Sequence, residues 1–215
     1  MNYLELVNAV LRRLRETTVS DVDQNTYSAL IGEFVNDAKR YCEDAWDWSP
    51  LRTTLTATTS EGVFNYTLTG SGQRVKVFRV IDDTNNRFLN YQTADWMSNA
   101  FLNENAPSGE PAYYSFNGVD AAGDTQVDIY PIPGSAYTIR FEVLKRTERF
   151  TENSDELVIP DDPVIQWAYA YALRERGETG GQSGREQVLF AQQALSDAIA
   201  LDAQKHPEET VWKTI

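Results

Sequence analysis

The hydrophobic rhythm of this chain changes twice, and those changes restrict its architecture more than any single motif does. Up to Trp46, apolar residues recur every third or fourth position, the period of a helix with one buried face. From Leu51, β-branched and aromatic residues alternate with polar ones, which is the period of strands. From Ile159 the helical spacing returns. The expected order is helices, strands, helices.

The first helix is expected over residues 2–16, with Leu4, Val7, Leu11 and Leu14 on one face and Arg12, Arg13 and Arg15 near the end favoured by the helix dipole. A longer one is expected from Thr26 to Trp46, N-capped by Asp23 or Asn25, and Pro50 prevents its continuation. Strands follow within "LRTTLTATTSEGVFNYTLTGSGQRVKVFRV", then at Arg87–Tyr91, Ala112–Phe116, Thr125–Tyr130 and Tyr137–Lys145. The connections are too short for parallel crossovers, so the sheet should be mainly antiparallel. One helix interrupts it at "TADWMSNAFLN", with Thr93 as N-cap and Trp96, Met97, Ala100 and Phe101 sharing a face.

Sharp punctuation marks the next helix. In "IPDDPVIQWAYAYALRERGE", Asp162 can cap, Pro163 can take the first helical position, and Gly177 can adopt the left-handed conformation after the end. Ser183 and Glu186 then have capping-box spacing, and Val188, Ala191, Leu195, Ala198, Ile199 and Leu201 outline a final helix to about Lys205. Neither helical half makes a convincing core alone. The expected fold class is therefore α+β: an α-helical bundle from the N- and C-terminal helices (1–50 and 158–205), an inserted, mainly antiparallel β-rich region (51–157), and an extended tail (206–215).

Composition narrows the function. The formal charge of −13 opposes tight binding to nucleic-acid backbones, which needs clustered Lys and Arg. No run approaches the roughly 18 apolar residues of a membrane span, and the opening residues read as an amphipathic helix in place of a signal peptide. The single cysteine, Cys42, cannot form an internal disulfide, as expected of a protein assembled in a reducing cytoplasm.

No reactive constellation emerges. The single histidine, His206, sits beside Pro207 at a helix end, which leaves little material for a triad or a histidine-rich metal site. Cys42 falls on an apolar helix face and reads as a buried thiol. Asp21, Asp23 and Asn25 begin like a calcium loop, but Thr26 and Gly32 stand where that loop needs glycine and glutamate. "GETGGQSGRE" lacks the Gly-Lys-Ser/Thr of a phosphate loop. The acidic stretch "ENSDELVIPDD" can supply paired carboxylates for glycoside hydrolysis, yet a solvated loop with a cap explains it better. Tyr113, Tyr114, Phe116, Tyr130 and Tyr137 can form a sugar or base platform, and as alternating strand residues they fit a sheet core more simply. No cofactor and no metal is expected.

The succession "GEPAYYSF", "QVDIYPIPGSAYTIRFEVLKR" and "ELVIPDDPVIQWAYAYALRERG", after an amphipathic pair closing in "AWDWSP", resembles the head-to-tail adaptor (connector) proteins of tailed bacteriophages. The family's motifs correspond to Gly109, Pro111 and Tyr113, then Tyr130, Pro131 and Pro133, then Ile159 and Pro160. The resemblance spans residues 1 to about 205 and implies a structural, non-enzymatic protein of the virion neck, put together in the host cytoplasm. It implies a ring, usually of twelve copies, beneath the portal protein, in contact with neighbouring adaptors and a tail or nozzle protein, with DNA passing through its centre, and the formal charge of −13 predicts passage without specific binding. The alternative is a tail-associated carbohydrate-binding or glycan-hydrolysing protein using residues such as Asp155, Glu156 or Asp162.

The last residues, "HPEETVWKTI", read as a docking peptide. Pro207 ends the final helix, Glu208 and Glu209 keep the link solvated, and Val211, Trp212 and Ile215 form an apolar cluster suited to a portal surface.

Overall fold

The computed structural model describes residues 1–102, 106–177 and 182–205. The fold is α+β, with five α-helices among the described residues: α1 (Tyr3–Arg13), α2 (Thr26–Ala45), α3 (Ala94–Leu102), α4 (Asp161–Glu175) and α5 (Gln182–Ala203). Among the described residues, ten strands lie between α2 and α4: β1 (Arg52–Thr58), β2 (Asn65–Thr67), β3 (Val75–Asp82), β4 (Arg87–Phe88), β5 (Asn90–Tyr91), β6 (Ser108–Gly109), β7 (Tyr113–Val119), β8 (Thr125–Tyr130), β9 (Ile132–Pro133) and β10 (Thr138–Lys145). The chain divides into two compact units, a helical one of Met1–Leu51 with Thr147–Ile215 and a strand-bearing one of Arg52–Arg146.

The helical unit starts from its caps. The Asn2 side chain accepts the Glu5 amide while Glu5 reaches back to the Asn2 amide, so two otherwise unpaired donors of α1 are satisfied. Asn25 caps α2 through the amides of Tyr27 and Ser28, and Asp21 caps the short 3₁₀ turn Val22–Gln24 ahead of it. α4 begins at Asp161, with Pro160 in the cap position and no side-chain cap, so Asp162 and Pro163 stand inside the first turn and not at its border. Both are tolerated there, since first-turn amides have no intrahelical partner and the dipole favours acids. Gly177 takes φ +79° just past α4, the position a side chain resists. The proposed cap Ser183 lies outside the residues whose side chains are described.

Leu6, Val7, Val10, Ile31, Val35, Ala38, Val164 and Ala168 are fully shielded in this unit. Tyr41 packs on Trp167 with ring centroids 4.5 Å apart, and Phe34 meets Tyr171 edge-on at 6.4 Å, so α2 and α4 contact each other through aromatic pairs. Residues 147–150 are held to α2 by polar groups: Asn36 bonds both main-chain groups of Phe150, and Lys39 donates to the carbonyls of Thr147 and Glu148. Lys39 and Glu43 are themselves a buried ion pair, 3.2 Å apart.

The strand-bearing unit stacks two four-stranded sheets, ordered β1-β10-β3-β4 and β2-β8-β7-β5, around one apolar layer. Alternation sorts its residues. Ile139, Phe141 and Val143 of β10 face Val127 and Ile129 of β8 across that layer, while Arg140 and Glu142 point out. The stretch Arg87–Tyr91, expected as one strand, is two: β4 pairs with β3 in one sheet and β5 with β7 in the other, with buried Leu89 at the switch. Pairing is antiparallel except for β5–β7 and β6–β9. The β5–β7 pair is parallel because α3 lies in its connection and supplies the length a crossover requires.

Candidate interaction surfaces

The acidic residues that stand out in the sequence are engaged in local structure. Asp155 accepts the amides of Glu152 and Thr151 at 2.9 and 2.8 Å, and those bonds hold its carboxyl below the usual range. Glu156 pairs its main chain with Asn2, and Asp162 accepts from Gln166 at 3.2 Å. The Cys42 thiol is fully shielded, and burial, with Glu43 nearby, pushes its pKa up to about 12. A thiol so placed stays protonated and is a poor nucleophile. Among the described residues, no three His, Cys, Asp or Glu are grouped to hold a metal ion. None of their helices is long and apolar enough to cross a membrane.

In the strand-bearing unit the aromatic residues serve two layers. Tyr114 and Phe116 turn toward the apolar layer between the sheets, as core packing requires. Tyr113 and Tyr130, paired across β7 and β8, turn the other way and lie under α3. Trp96 packs on both, at 5.1 and 5.5 Å, and Phe101 on Tyr130 at 5.6 Å. The Thr93 hydroxyl accepts the Trp96 amide, starting α3 as its sequence predicts. Phe64 extends this cluster, 4.5 Å from Phe101, and Leu102 beside it is 78% exposed. The result is a contiguous aromatic surface around α3, suited to another protein.

The opposite outer face, on β1, β10 and β3, is mixed with a positive excess, Arg52, Lys76, Arg79 and Arg140 against Asp83 and Glu142. Cross-strand register places Arg52, Leu144 and Lys76 in one row across β1, β10 and β3, and Thr54, Glu142 and Arg79 in another. Arg52 and Lys76 both lie over the Phe78 ring, at 4.9 and 5.2 Å. Arg140 forks onto Asp83 with bonds of 3.0 to 3.2 Å and also meets Glu142.

Clefts open among the described residues of the helical unit, two of them defined by their lining. One, of about 250 Å³, contains Arg176, which donates to Tyr27 Oη at 2.8 Å and Glu16 at 2.6 Å while lying over the Tyr27 ring. The other, of about 500 Å³, is lined by Phe34, Asp37, Tyr171, Arg174 and Glu175. On α5, Ala191 and Leu195 face inward as expected, but Leu201 is 67% exposed, and Leu189 and Phe190, outside the expected stripe, are 60% and 65% exposed. Their neighbours in sequence satisfy the buried face, so these three are left for the surface.

Charge is divided unevenly. Residues 52–146 carry eight Lys and Arg against ten Asp and Glu, so −11 of the formal −13 belongs to the rest of the chain. His206 and the docking residues Pro207, Val211, Trp212 and Ile215 lie outside the described residues. The family model described as SU10 adaptor protein matches residues 1–211. No curated protein matches the chain.

Proposed function

The chain belongs to the SU10 adaptor protein family, the head-to-tail adaptors of tailed phages, and we propose that it forms a ring, of twelve copies, between the portal protein and the tail. The family match, which covers nearly the whole chain, is the observation that carries this reading. A ring requires two different complementary faces on each subunit. The aromatic surface around α3 and the net positive outer face of β1, β10 and β3 supply chemically distinct candidates.

In this reading the chain is a structural component of the virion neck, put together in the host cytoplasm, with DNA passing through the ring without specific binding. The N- and C-terminal helices act as one bundle against the portal, and the inserted strands meet neighbouring adaptors and the tail or nozzle protein. The segment 206–215 docks on the portal through Pro207, Val211, Trp212 and Ile215. One tail binds weakly, and about twelve held by one ring act together through effective concentration.

The test is to mix the protein with its cognate portal and image the product by electron microscopy. Portal rings capped by this chain are the expected outcome. Bare portals beside free monomer count against the reading.

A further inference from the structure

The four outer strands of the two large sheets are not alike. β4 and β5 are two residues long and β2 is three, the brief edges that discourage unwanted pairing. β1 has seven residues, contains no proline or glycine, and pairs with β10 without a bulge. Among the described residues no strand pairs with its other side.

Register identifies the groups along that open side. The Thr59 amide donates to Tyr137, the next pair of the β1–β10 ladder, so Ala57, Leu55 and Thr53 also direct their main-chain groups to β10. Thr54, Thr56 and Thr58 direct theirs outward, and their side chains are exposed. Three donors and three acceptors thus stand in a straight row.

We propose that β1 accepts an added strand from another protein of the assembled neck, with apolar residues on one side and acidic residues on the other. On the inner side the added strand continues the column of half-buried Leu55 and Ala57, which line the rim of the apolar layer. On the outer side it lies against Thr54, Thr56 and Thr58, on a face where Arg52, Lys76, Arg79 and Arg140 outnumber Glu142 and Asp83, so that acidic side chains complement the net positive charge. Main-chain bonds supply attachment, and the alternation supplies choice of partner. The proposal rests on the adaptor reading for the place where such a strand is met.

Residue-resolved amide exchange on isolated protein and on purified necks tests it. Thr54, Thr56 and Thr58 are expected to exchange freely in isolation and to slow by about tenfold or more in necks, while Leu55 and Ala57 are slow in both. Thr56→Pro removes one outward donor and no bond to β10, whereas Thr56→Val keeps the donor. The proline variant is expected to fold, with an unchanged Tm within a few degrees, and to enter necks about tenfold less well, and the valine variant to enter normally. Unprotected Thr54, Thr56 and Thr58 in necks that contain the chain overturn the proposal alone. Absence of the chain from necks overturns the adaptor reading and the proposal with it. Protection on concentrating the isolated protein assigns the edge to a second copy and also overturns it.

Discussion

Asp202, on the last turn of α5, accepts the indole N–H of Trp46 at 3.2 Å and the Ser49 amide at 2.9 Å, so one buried carboxylate fixes the chain where α2 ends. Removing it strands two donors. Asp202→Ala is expected to lower stability by about 1 to 3 kcal/mol in urea unfolding.

That carboxylate also titrates. Burial pushes Asp202 up, but the Ser49 amide and Lys205 outweigh it and hold the folded pKa below 3.8. A depressed folded pKa contributes stability that is fully present above the unfolded value and is lost as pH falls through the folded one. The Tm difference between wild type and Asp202→Asn should therefore be constant above about pH 5 and shrink below pH 4. A gap that widens with acid would show the sign to be wrong.

Lys39 and Glu43 are shielded from solvent, and the lysine also bonds two carbonyls of the segment that returns from β10. Lys39→Met leaves Glu43 buried without its cation and should cost about 3 to 5 kcal/mol. Lys39→Met with Glu43→Leu should cost less than that single change. A double-mutant cycle by urea melts reads the coupling.

A methyl group at Gly32 would overlap Tyr3 Oη and Val22 Cγ1, both buried side chains packed against α2. Gly32→Ala should destabilise by about 1 to 3 kcal/mol despite its better helix propensity. Adding Tyr3→Phe should recover part of the loss, measured by the shift in Tm.

Truncation after Lys205, and Trp212→Ala alone, should leave a folded subunit that attaches poorly to portals in a co-sedimentation assay. Normal attachment by both would remove the docking role of the tail. The isolated protein should also bind DNA weakly and with little salt dependence, because −11 of its charge lies outside the more nearly neutral strand-bearing unit. Fluorescence anisotropy across a salt series checks this.

The helices were legible because their signals are local. Asn25 caps α2, Thr93 starts α3 and Gly177 ends α4 through bonds or dihedrals set by residues within one turn. The start of α4 was displaced by two residues, since "PDDP" offers several acceptable borders and packing of the following apolar residues selects one. Strand partners were not legible. β1 pairs with β10 at separations from Thr58↔Thr138 to Arg52↔Leu144, far beyond any local signal, and alternation states which face is buried without naming the neighbour. For the same reason the open side of β1 leaves no local mark: "RTTLTAT" reads the same in a central strand and at an edge. Lys39 was equally hidden, a charge on a buried helix face whose acceptors lie 108 and 109 residues away.

Arg52 stands opposite Leu144 in register, so the strand-bearing unit is entered and left at adjacent points on one antiparallel pair. A module whose two ends meet can be exchanged for another of similar spacing without rebuilding the helices that carry it. Recombination between phages can therefore swap the strand-bearing half of such a chain as a cassette. The same two short joints let one lineage keep its helical half while the other half diverges.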